Sequence, residues 1–240
     1  MISTWSRVRR ACAPAPVTYG IITLCAVSFV LGPASGLNPV YGTGDRLLSA
    51  QTGYFHRWGV VPAELFSLAP RSLFTPVTAL FVHGGWLHLL GNMLFLQVFG
   101  VMAEERMGRL RYTLFYAGCG ALALVGYAAA NATSEQALVG ASGAISAVLG
   151  AFLYLFPTAR VTSLFPFLFF LPLRFPAWVV LPFWAALQWL AAGRAGGGPG
   201  VAYLAHLVGF SLGFLYAWGC LRPATRVRAT APATEGENQP

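Results

Sequence analysis

Charged side chains are scarce in this sequence, and lysine is missing altogether. The 240 residues include seven acidic residues, and all 15 basic residues are arginine. Charged residues make up 9% of the chain and hydrophobic residues 57%, whereas a soluble globular domain carries roughly 25% charged residues. This composition excludes a soluble domain and indicates an integral membrane protein.

The shortage of acids and cysteines also narrows the possible chemistry. Asp45 and the six glutamates all lie outside the long apolar segments, which excludes an intramembrane protease with paired carboxylates and argues against an acid-oriented Ser-His-Asp triad. The four cysteines have no CxxC spacing and no His-Glu-x-x-His motif occurs, so we expect no metal site, no disulfide framework and no cofactor. The net charge of +8 comes from arginines scattered at the ends of apolar segments, a pattern typical of membrane topology rather than of nucleic-acid binding.

The long apolar segments predict the fold class. Six of them have the composition of membrane helices: 17–31, 86–102, 112–130, 141–156, 177–192 and 201–221. We therefore expect an all-α membrane protein, with a six-transmembrane-helix bundle in residues 17–221. A cytoplasmic N-terminal segment, 1–16, and a disordered cytoplasmic tail, 222–240, are expected to flank it.

Three connecting segments are distinctive. Residues 36–76 are too polar to span a membrane and too apolar to float freely, which predicts a folded first loop in the membrane interface; an ordinary extracytoplasmic loop is the open alternative. Residues 157–176 are aromatic but broken by prolines and arginines, which predicts an interfacial connector rather than a span. Residues 193–200 are predicted to form a glycine-rich turn.

The arginines predict the orientation of the bundle. With the N-terminus inside, eleven arginines fall in cytoplasmic segments and four in outer segments, so both termini are expected in the cytoplasm. Arginine without lysine is typical of a GC-rich genome, and we expect a multi-pass protein of a bacterial plasma membrane. A signal peptide ending near residue 36 is the alternative for the first apolar segment.

The tetrapeptide Gly140-Ala141-Ser142-Gly143 opens the fourth apolar segment. Glycines let other backbone approach closely, and the start of a helix offers free N–H groups and a positive dipole, which stabilise a developing oxyanion. This pattern favours Ser142 as a nucleophile. A helix-packing surface of small residues is the alternative for the same tetrapeptide.

A histidine lies near the outer end of the sixth segment, together with two glycines on its own face. His206, Gly209 and Gly213 are spaced to share one side of a helix, and ionisable groups inside a membrane indicate function. The fourth segment offers a matching face of small residues, which are Gly143, Ala147 and Gly150. If the two faces meet, His206 comes within reach of Ser142; a hydrogen bond to a neighbouring helix is the alternative role for this histidine.

A second polar pair lies near the outer end of the second segment. His88 and Asn92 are four residues apart and share one helix face. Either side chain could donate a hydrogen bond to a developing negative oxygen. Interhelical hydrogen bonding is the alternative.

The candidate residues lie in three separated motifs, which are His83-Gly84-Gly85-Trp86-Leu87-His88-Leu89-Leu90-Gly91-Asn92, Gly140-Ala141-Ser142-Gly143, and Ala205-His206-Leu207-Val208-Gly209 with Gly213. Together these motifs resemble those of the rhomboid intramembrane serine proteases. Arg71 with Phe74-Thr75-Pro76, and Glu104 with Gly108, are similar to further motifs of that family. The resemblance covers residues 17–221.

The resemblance implies a fold and a set of roles. The implied fold is a rhomboid-like six-helix bundle with an interfacial first loop. Ser142 would be the nucleophile, His206 the general base, and His88, Asn92 and the Ser142 backbone N–H the oxyanion hole, with Gly143, Gly209 and Gly213 packing the helices. The implied substrates are single-span membrane proteins in the lipid bilayer, cut near the outer face.

Two positions depart from the family pattern. Ser146 stands where many rhomboids have an aromatic residue that stacks on the catalytic histidine, and Pro70 stands where a tryptophan often precedes the first-loop arginine. A catalytically silent rhomboid-like protein that binds membrane clients therefore stays an alternative. An unrelated six-span transporter is a third possibility, although it predicts charges at mid-membrane that the segments lack.

Overall fold

The computed structural model of the protein describes residues 15–67, 70–165, 171–194 and 202–222. The predicted N-terminal segment 1–16, the glycine-rich turn 193–200 and the tail 222–240 lie wholly or mostly outside these residues. The expectations about a signal peptide and a disordered tail therefore stay predictions.

Helices form almost all of the described secondary structure. In chain order they are α1 (Pro16–Leu31), α2 (Gly44–Trp58), α3 (Pro62–Leu65), α4 (Thr75–Thr78), α5 (Trp86–Met107), α6 (Arg109–Ala130), α7 (Ser142–Leu155), α8 (Ala177–Arg194) and α9 (Tyr203–Cys220). Helix α5 contains one π-helical stretch, Leu96–Gly100. Short 3-10 helices follow α1 and α4.

Each of the six apolar segments of the sequence coincides with one helix. Three of these helices, α5, α6 and α9, are long and apolar enough to cross a membrane. Shorter apolar helical stretches are α1, α7 and Ala177–Gly193 of α8. The protein is thus a mostly helical, multi-pass integral membrane protein.

The connector between α7 and α8 differs from the expectation of an all-α protein. It contains two antiparallel strands, β1 (Arg160–Phe165) and β2 (Leu171–Pro176), with Arg160 opposite Pro176. β-branched and aromatic residues favour strands, and hydropathy alone hides this preference. The Ala177 N–H donates to the Ala159 carbonyl at 2.8 Å, so the hairpin joins the end of α7 to the start of α8 at a fixed base.

The first loop is folded and is attached to the segment before α7. Helix α2 within it has no buried residue, but the loop after α2 pairs with the chain ahead of the bundle core. Val60 and Leu138 exchange two backbone hydrogen bonds, of 2.9 and 2.7 Å. The first loop therefore fixes the chain only a few residues before Ser142.

The centre of the bundle is the contact between α7 and α9. Eleven of the 14 residues of α7 are buried. A side chain at Gly209 would overlap the carbonyl oxygen of Gly143, and one at Gly213 would overlap that of Ala147. Because backbone cannot move aside as a flexible side chain can, only glycine permits this approach.

A buried acid ties the start of α1 to the end of α5. Glu104 is 2% exposed, and its two carboxylate oxygens accept hydrogen bonds from the backbone N–H groups of Val17 and Thr18, at 3.0 and 2.7 Å. These are among the unpaired N–H groups that every helix leaves at its beginning. A carboxylate there also interacts favourably with the helix dipole, so Glu104 caps α1 from 86 residues away in the sequence.

Candidate active site

The side chains of Ser142 and His206 meet between α7 and α9. The Nε2 atom of His206 lies 2.9 Å from the Oγ atom of Ser142. Gly143 directly follows Ser142 on α7, and Gly209 lies three residues after His206 on α9. The backbones of these two glycines are in close contact, which brings the two helices together at the level of Ser142 and His206. The small face and the histidine face expected from the sequence do meet.

The chain enters α7 through a glycine with a positive φ angle. Gly140 has a φ angle of +126°, a backbone conformation that residues other than glycine rarely adopt. Its N–H donates to the Ala79 carbonyl at 2.9 Å. A Cβ atom at Gly140 would come within 2.7 Å of His88 Nε2. Position 140 therefore requires glycine, both for the backbone conformation and for the close approach of His88. Ser142 lies in the first turn of α7, where the backbone N–H groups have no partner within the helix.

His88 also faces the start of α7, and a hydrogen bond indicates which of its two ring nitrogens carries the proton. The Gly84 N–H donates to His88 Nδ1 at 3.3 Å. A neutral imidazole whose Nδ1 accepts a hydrogen bond carries its proton on Nε2. The Nε2 atom next to Gly140 is therefore a hydrogen-bond donor.

Asn92 provides a second donor beside this position. Its side chain is 9% exposed, and the Nδ2 atom has no hydrogen-bond partner among the described residues. An unpaired buried amide costs stability, and such groups call for an explanation. The donor is available for a ligand oxygen in the site.

His83, from the same motif, contacts His88 rather than the serine. It lies before α5 begins, is 1% exposed, and its ring is 5.2 Å from that of His88 in an edge-on arrangement. Burial, and to a smaller extent the neighbouring His88, lowers the pKa of His83 from 6.5 to about 4, against an opposing effect of the Phe81 backbone. His83 is therefore neutral at physiological pH, so no added charge disturbs His88.

The other side of His206 is occupied by two residues of α8 that the sequence analysis did not single out. The Nδ1 atom of His206 lies 2.8 Å from Gln188 Oε1. The Trp184 ring stacks on the imidazole at 6.2 Å with an angle of 30°. A lone amide within the otherwise apolar segment 177–192 was the available signal for Gln188.

The Ser146 hydroxyl bonds within its own helix, whereas the described hydrogen bonds of the His206 ring go to Ser142 and Gln188. Ser146 is 2% exposed, and its hydroxyl donates to the carbonyl of Ser142 at 2.6 Å, within α7. The position of the aromatic residue that many rhomboids carry is therefore filled by a small, internally bonded side chain.

A cavity connects these groups. Its volume is about 560 Å³, and it is lined mostly by apolar side chains with a few polar groups. The polar lining includes His88, Asn92, Ser142, Ser146 and His206. Within the described part of the chain, no group of three or more possible metal ligands occurs. The arrangement can present a hydroxyl, a base and two hydrogen-bond donors to one bound carbonyl group.

Comparison with known proteins matches this arrangement to a family. The Rhomboid domain model matches residues 70–223. The mitochondrial Rhomboid protein 1 of Saccharomyces cerevisiae is 37% identical over 142 residues, which are 58% of this chain and 39% of that protein. RHOMBOID-like protein 5 of Arabidopsis thaliana is 34% identical over 77 residues, which are 32% of this chain and 25% of that protein.

The chain thus spans well under half the length of both relatives, but the family model matches more than half of the chain. All three sequence motifs that suggested the resemblance fall within the matched residues 70–223. The expected membership is confirmed: this chain belongs to the rhomboid family.

Proposed function

We propose that the protein is an intramembrane serine endopeptidase that cuts single-span membrane proteins near the outer face of the bilayer. The observation that carries this proposal is the 2.9 Å contact between Ser142 Oγ and His206 Nε2, in a cavity that also contains Asn92 Nδ2, a donor without a partner among the described residues. A nucleophile within hydrogen-bond reach of a base is the arrangement that acyl transfer requires.

The reaction proceeds through an acyl-enzyme. As Ser142 Oγ attacks the peptide carbonyl, its proton moves to His206 Nε2. When the tetrahedral intermediate collapses, the peptide C–N bond breaks and His206 gives that proton to the leaving amine. Water then attacks the ester with His206 again as base, which releases the second product and restores the serine.

The negative oxygen of the intermediate is stabilised by donors already in place. His88 Nε2, Asn92 Nδ2 and the backbone N–H of Ser142 are assigned this role. The dipole of α7 adds to their effect because Ser142 lies in the first turn. One donor of this kind contributes roughly 3–4 kcal/mol in a serine protease.

The membrane setting determines the substrate class. In a helical substrate the backbone carbonyls are bonded internally, so the substrate segment must unwind before a carbonyl can reach Ser142. Small or flexible residues near the outer end of a membrane span allow that unwinding. The catalytic unit is residues 17–221, with six helices crossing the bilayer, the first loop in the interface, and both termini in the cytoplasm. The arginine-only composition favours a bacterial plasma membrane.

Labelling with a fluorophosphonate, a probe that reacts with activated serines, tests the proposal. Wild-type protein should be labelled and should cleave a single-span substrate in liposomes, whereas Ser142→Ala and His206→Ala should do neither. Ser211→Ala is the matched control, because Ser211 is an exposed serine on α9, and it should behave as wild type.

The same experiment separates the alternatives. Equal cleavage by wild type and Ser142→Ala would rule out the serine mechanism. Binding of the single-span substrate without labelling or cleavage by the wild type would identify a silent, client-binding rhomboid-like protein.

A further inference from the structure

We infer that Gln188 and Trp184 of α8 are positioning residues for His206, and that they replace the aromatic support which Ser146 does not provide. This inference rests on the proposed function, because it concerns how the base of that reaction is held. Trp184 and Gln188 are four residues apart on one helix face. Both contact the imidazole of His206.

Gln188 determines which nitrogen of His206 carries the proton. Its Oε1 atom, 2.8 Å from Nδ1, is an acceptor, so the bond forms when Nδ1 is protonated. A neutral imidazole with its proton on Nδ1 leaves Nε2 free to accept the proton of Ser142. The opposite tautomer could not act as the base, and the loss of tautomer control in Ser-His-Asp enzymes is costly for turnover.

An amide suits this position in a membrane protein. A carboxylate would stabilise the histidine more strongly, but a charge within an apolar helix is expensive to bury. The amide oxygen provides the acceptor without a charge. Among the described residues, no acid hydrogen-bonds to His206, and the amide takes the place that an acid occupies in other serine proteases.

Trp184 fixes the plane of the same ring. The stack at 6.2 Å and 30° covers one side of the imidazole, and Tyr203 meets it edge-on at 6.4 Å. On α7, the residue at position 146 could cover the imidazole ring only with a large side chain. Ser146 is small and is bonded to the Ser142 carbonyl, so α8 supplies the ring contact in place of α7.

Gln188→Met and Gln188→Glu form a pair that separates positioning from packing. Methionine has nearly the shape of glutamine but lacks the acceptor, whereas glutamate keeps an oxygen at the same place whether or not it is ionised. If Gln188 only packed α8 against α9, methionine would preserve activity and glutamate would disturb it. The positioning role predicts the reverse order.

For Gln188→Met we expect kcat on a single-span substrate in liposomes to fall about 10- to 100-fold with KM changed by less than about 3-fold, since misplacing a catalytic group costs up to about 100-fold. The rate of fluorophosphonate labelling should fall in parallel. Gln188→Glu should keep kcat within about 3-fold of wild type. Gln97→Leu, a change of an amide on α5 that bonds to Tyr19 instead, is the matched control and should leave kcat unchanged.

Trp184 has its own pair. Trp184→Phe keeps an aromatic ring over the imidazole and should retain most of kcat, whereas Trp184→Leu should lower kcat by about 10-fold at similar KM. Labelling should again follow kcat, because the probe needs the activated serine but not the substrate.

The outcomes distinguish this inference from the proposed function. Unchanged kcat in Gln188→Met, or equal losses in the methionine and glutamate variants, would overturn the positioning role while Ser142→Ala stays inactive. If Ser142→Ala cleaves like the wild type, the proposed function and this inference both fall. If Gln188→Met does not fold, Gln188→Asn replaces it: the shortened amide withdraws the acceptor, and kcat at the wild-type level in that variant would equally overturn the inference.

Discussion

The helix pair α7 and α9 and the flanking helices α5 and α8 contribute to the site in different ways. The pair meets through backbone, with glycines where any side chain would collide with a carbonyl group. The flanking helices contribute individual side chains to the site, including the polar ends of His88, Asn92 and Gln188. The pair therefore sets the positions of Ser142 and His206, and the flanking helices add polar groups around them.

This difference has a consequence for mutation. A change inside the pair should lower stability and activity together, because the same contact holds the fold and the Ser142–His206 distance. A change of a polar site side chain on a flanking helix, such as Asn92 or Gln188, should lower activity without unfolding the protein, because these side chains do not hold α7 against α9. The following substitutions compare the two regions, beginning with the largest expected effect.

Gly213→Ala should give the greatest loss. Its Cβ would overlap the backbone of Ala147, so α7 and α9 must separate, and overpacking of this kind costs about 3 kcal/mol or more. Thermal unfolding in detergent micelles and cleavage in liposomes should both show the loss. Gly219→Ala on the same helix is the control, because nothing lies within 4 Å of a Cβ there. A Gly213→Ala protein as stable as Gly219→Ala would show that the contact between α7 and α9 does not require glycine.

Asn92→Ala should reduce activity alone. Removal of one oxyanion donor lowers kcat by about 100- to 1,000-fold in a serine protease, while the amide nitrogen of Asn92 has no partner to lose among the described residues. Cleavage kinetics and thermal unfolding, measured on the same preparation, should separate the two effects.

The matched variant for Asn92 is Asn131→Ala, which removes an amide that donates to the Tyr127 carbonyl at the end of α6. It should keep full kcat. If Asn92→Ala loses as much stability as activity, Asn92 acts through packing and not as a donor in the site.

The two regions also differ in how well the sequence predicts them. Glycines at helical spacing and a histidine in an apolar segment are rare signals, so the contact of Ser142 with His206 could be expected from residues 142, 206, 209 and 213. In α8, the residues that contact the histidine alternate with exposed aromatic residues such as Phe183 and Trp189, and hydropathy does not separate the two sets. Gln188 and Trp184 were missed for that reason.

The connector was also underestimated. Residues 160–165 and 171–176 include two arginines, Arg160 and Arg174, and two prolines, Pro172 and Pro176, and prolines in an apolar run argue against a strand. Their pairing depends on β-branched and aromatic residues and on the closing contact of Ala177 with Ala159. Such tertiary contacts cannot be read from composition.

Mild acid should destabilise the entrance to α5 through His83. Burial lowers the pKa of this histidine to about 4 in the folded protein, from 6.5 otherwise. Unfolded chains therefore bind the proton first, so the contribution of neutral His83 to stability is complete above pH 6.5 and declines as the pH falls toward 4. The full effect is about 3 kcal/mol.

The measurement is the thermal unfolding midpoint between pH 7 and pH 4 for wild type and His83→Phe. Phenylalanine keeps a ring beside His88 but does not titrate. The wild-type midpoint should fall more steeply than that of the variant over this range. Parallel curves would show that other groups cause the acid sensitivity.

The smallest effect is expected on the outer face of α8. Trp189 follows Gln188 directly but is 70% exposed, so it points out of the bundle and away from His206. Trp189→Leu exchanges one apolar surface residue for another, and lipid does not distinguish strongly between them. Both kcat and the unfolding midpoint should stay at wild-type values, whereas Trp184→Leu, five residues earlier on the same helix, should lower kcat. If the two tryptophan variants lose activity equally, α8 acts as a whole and not through its inner face.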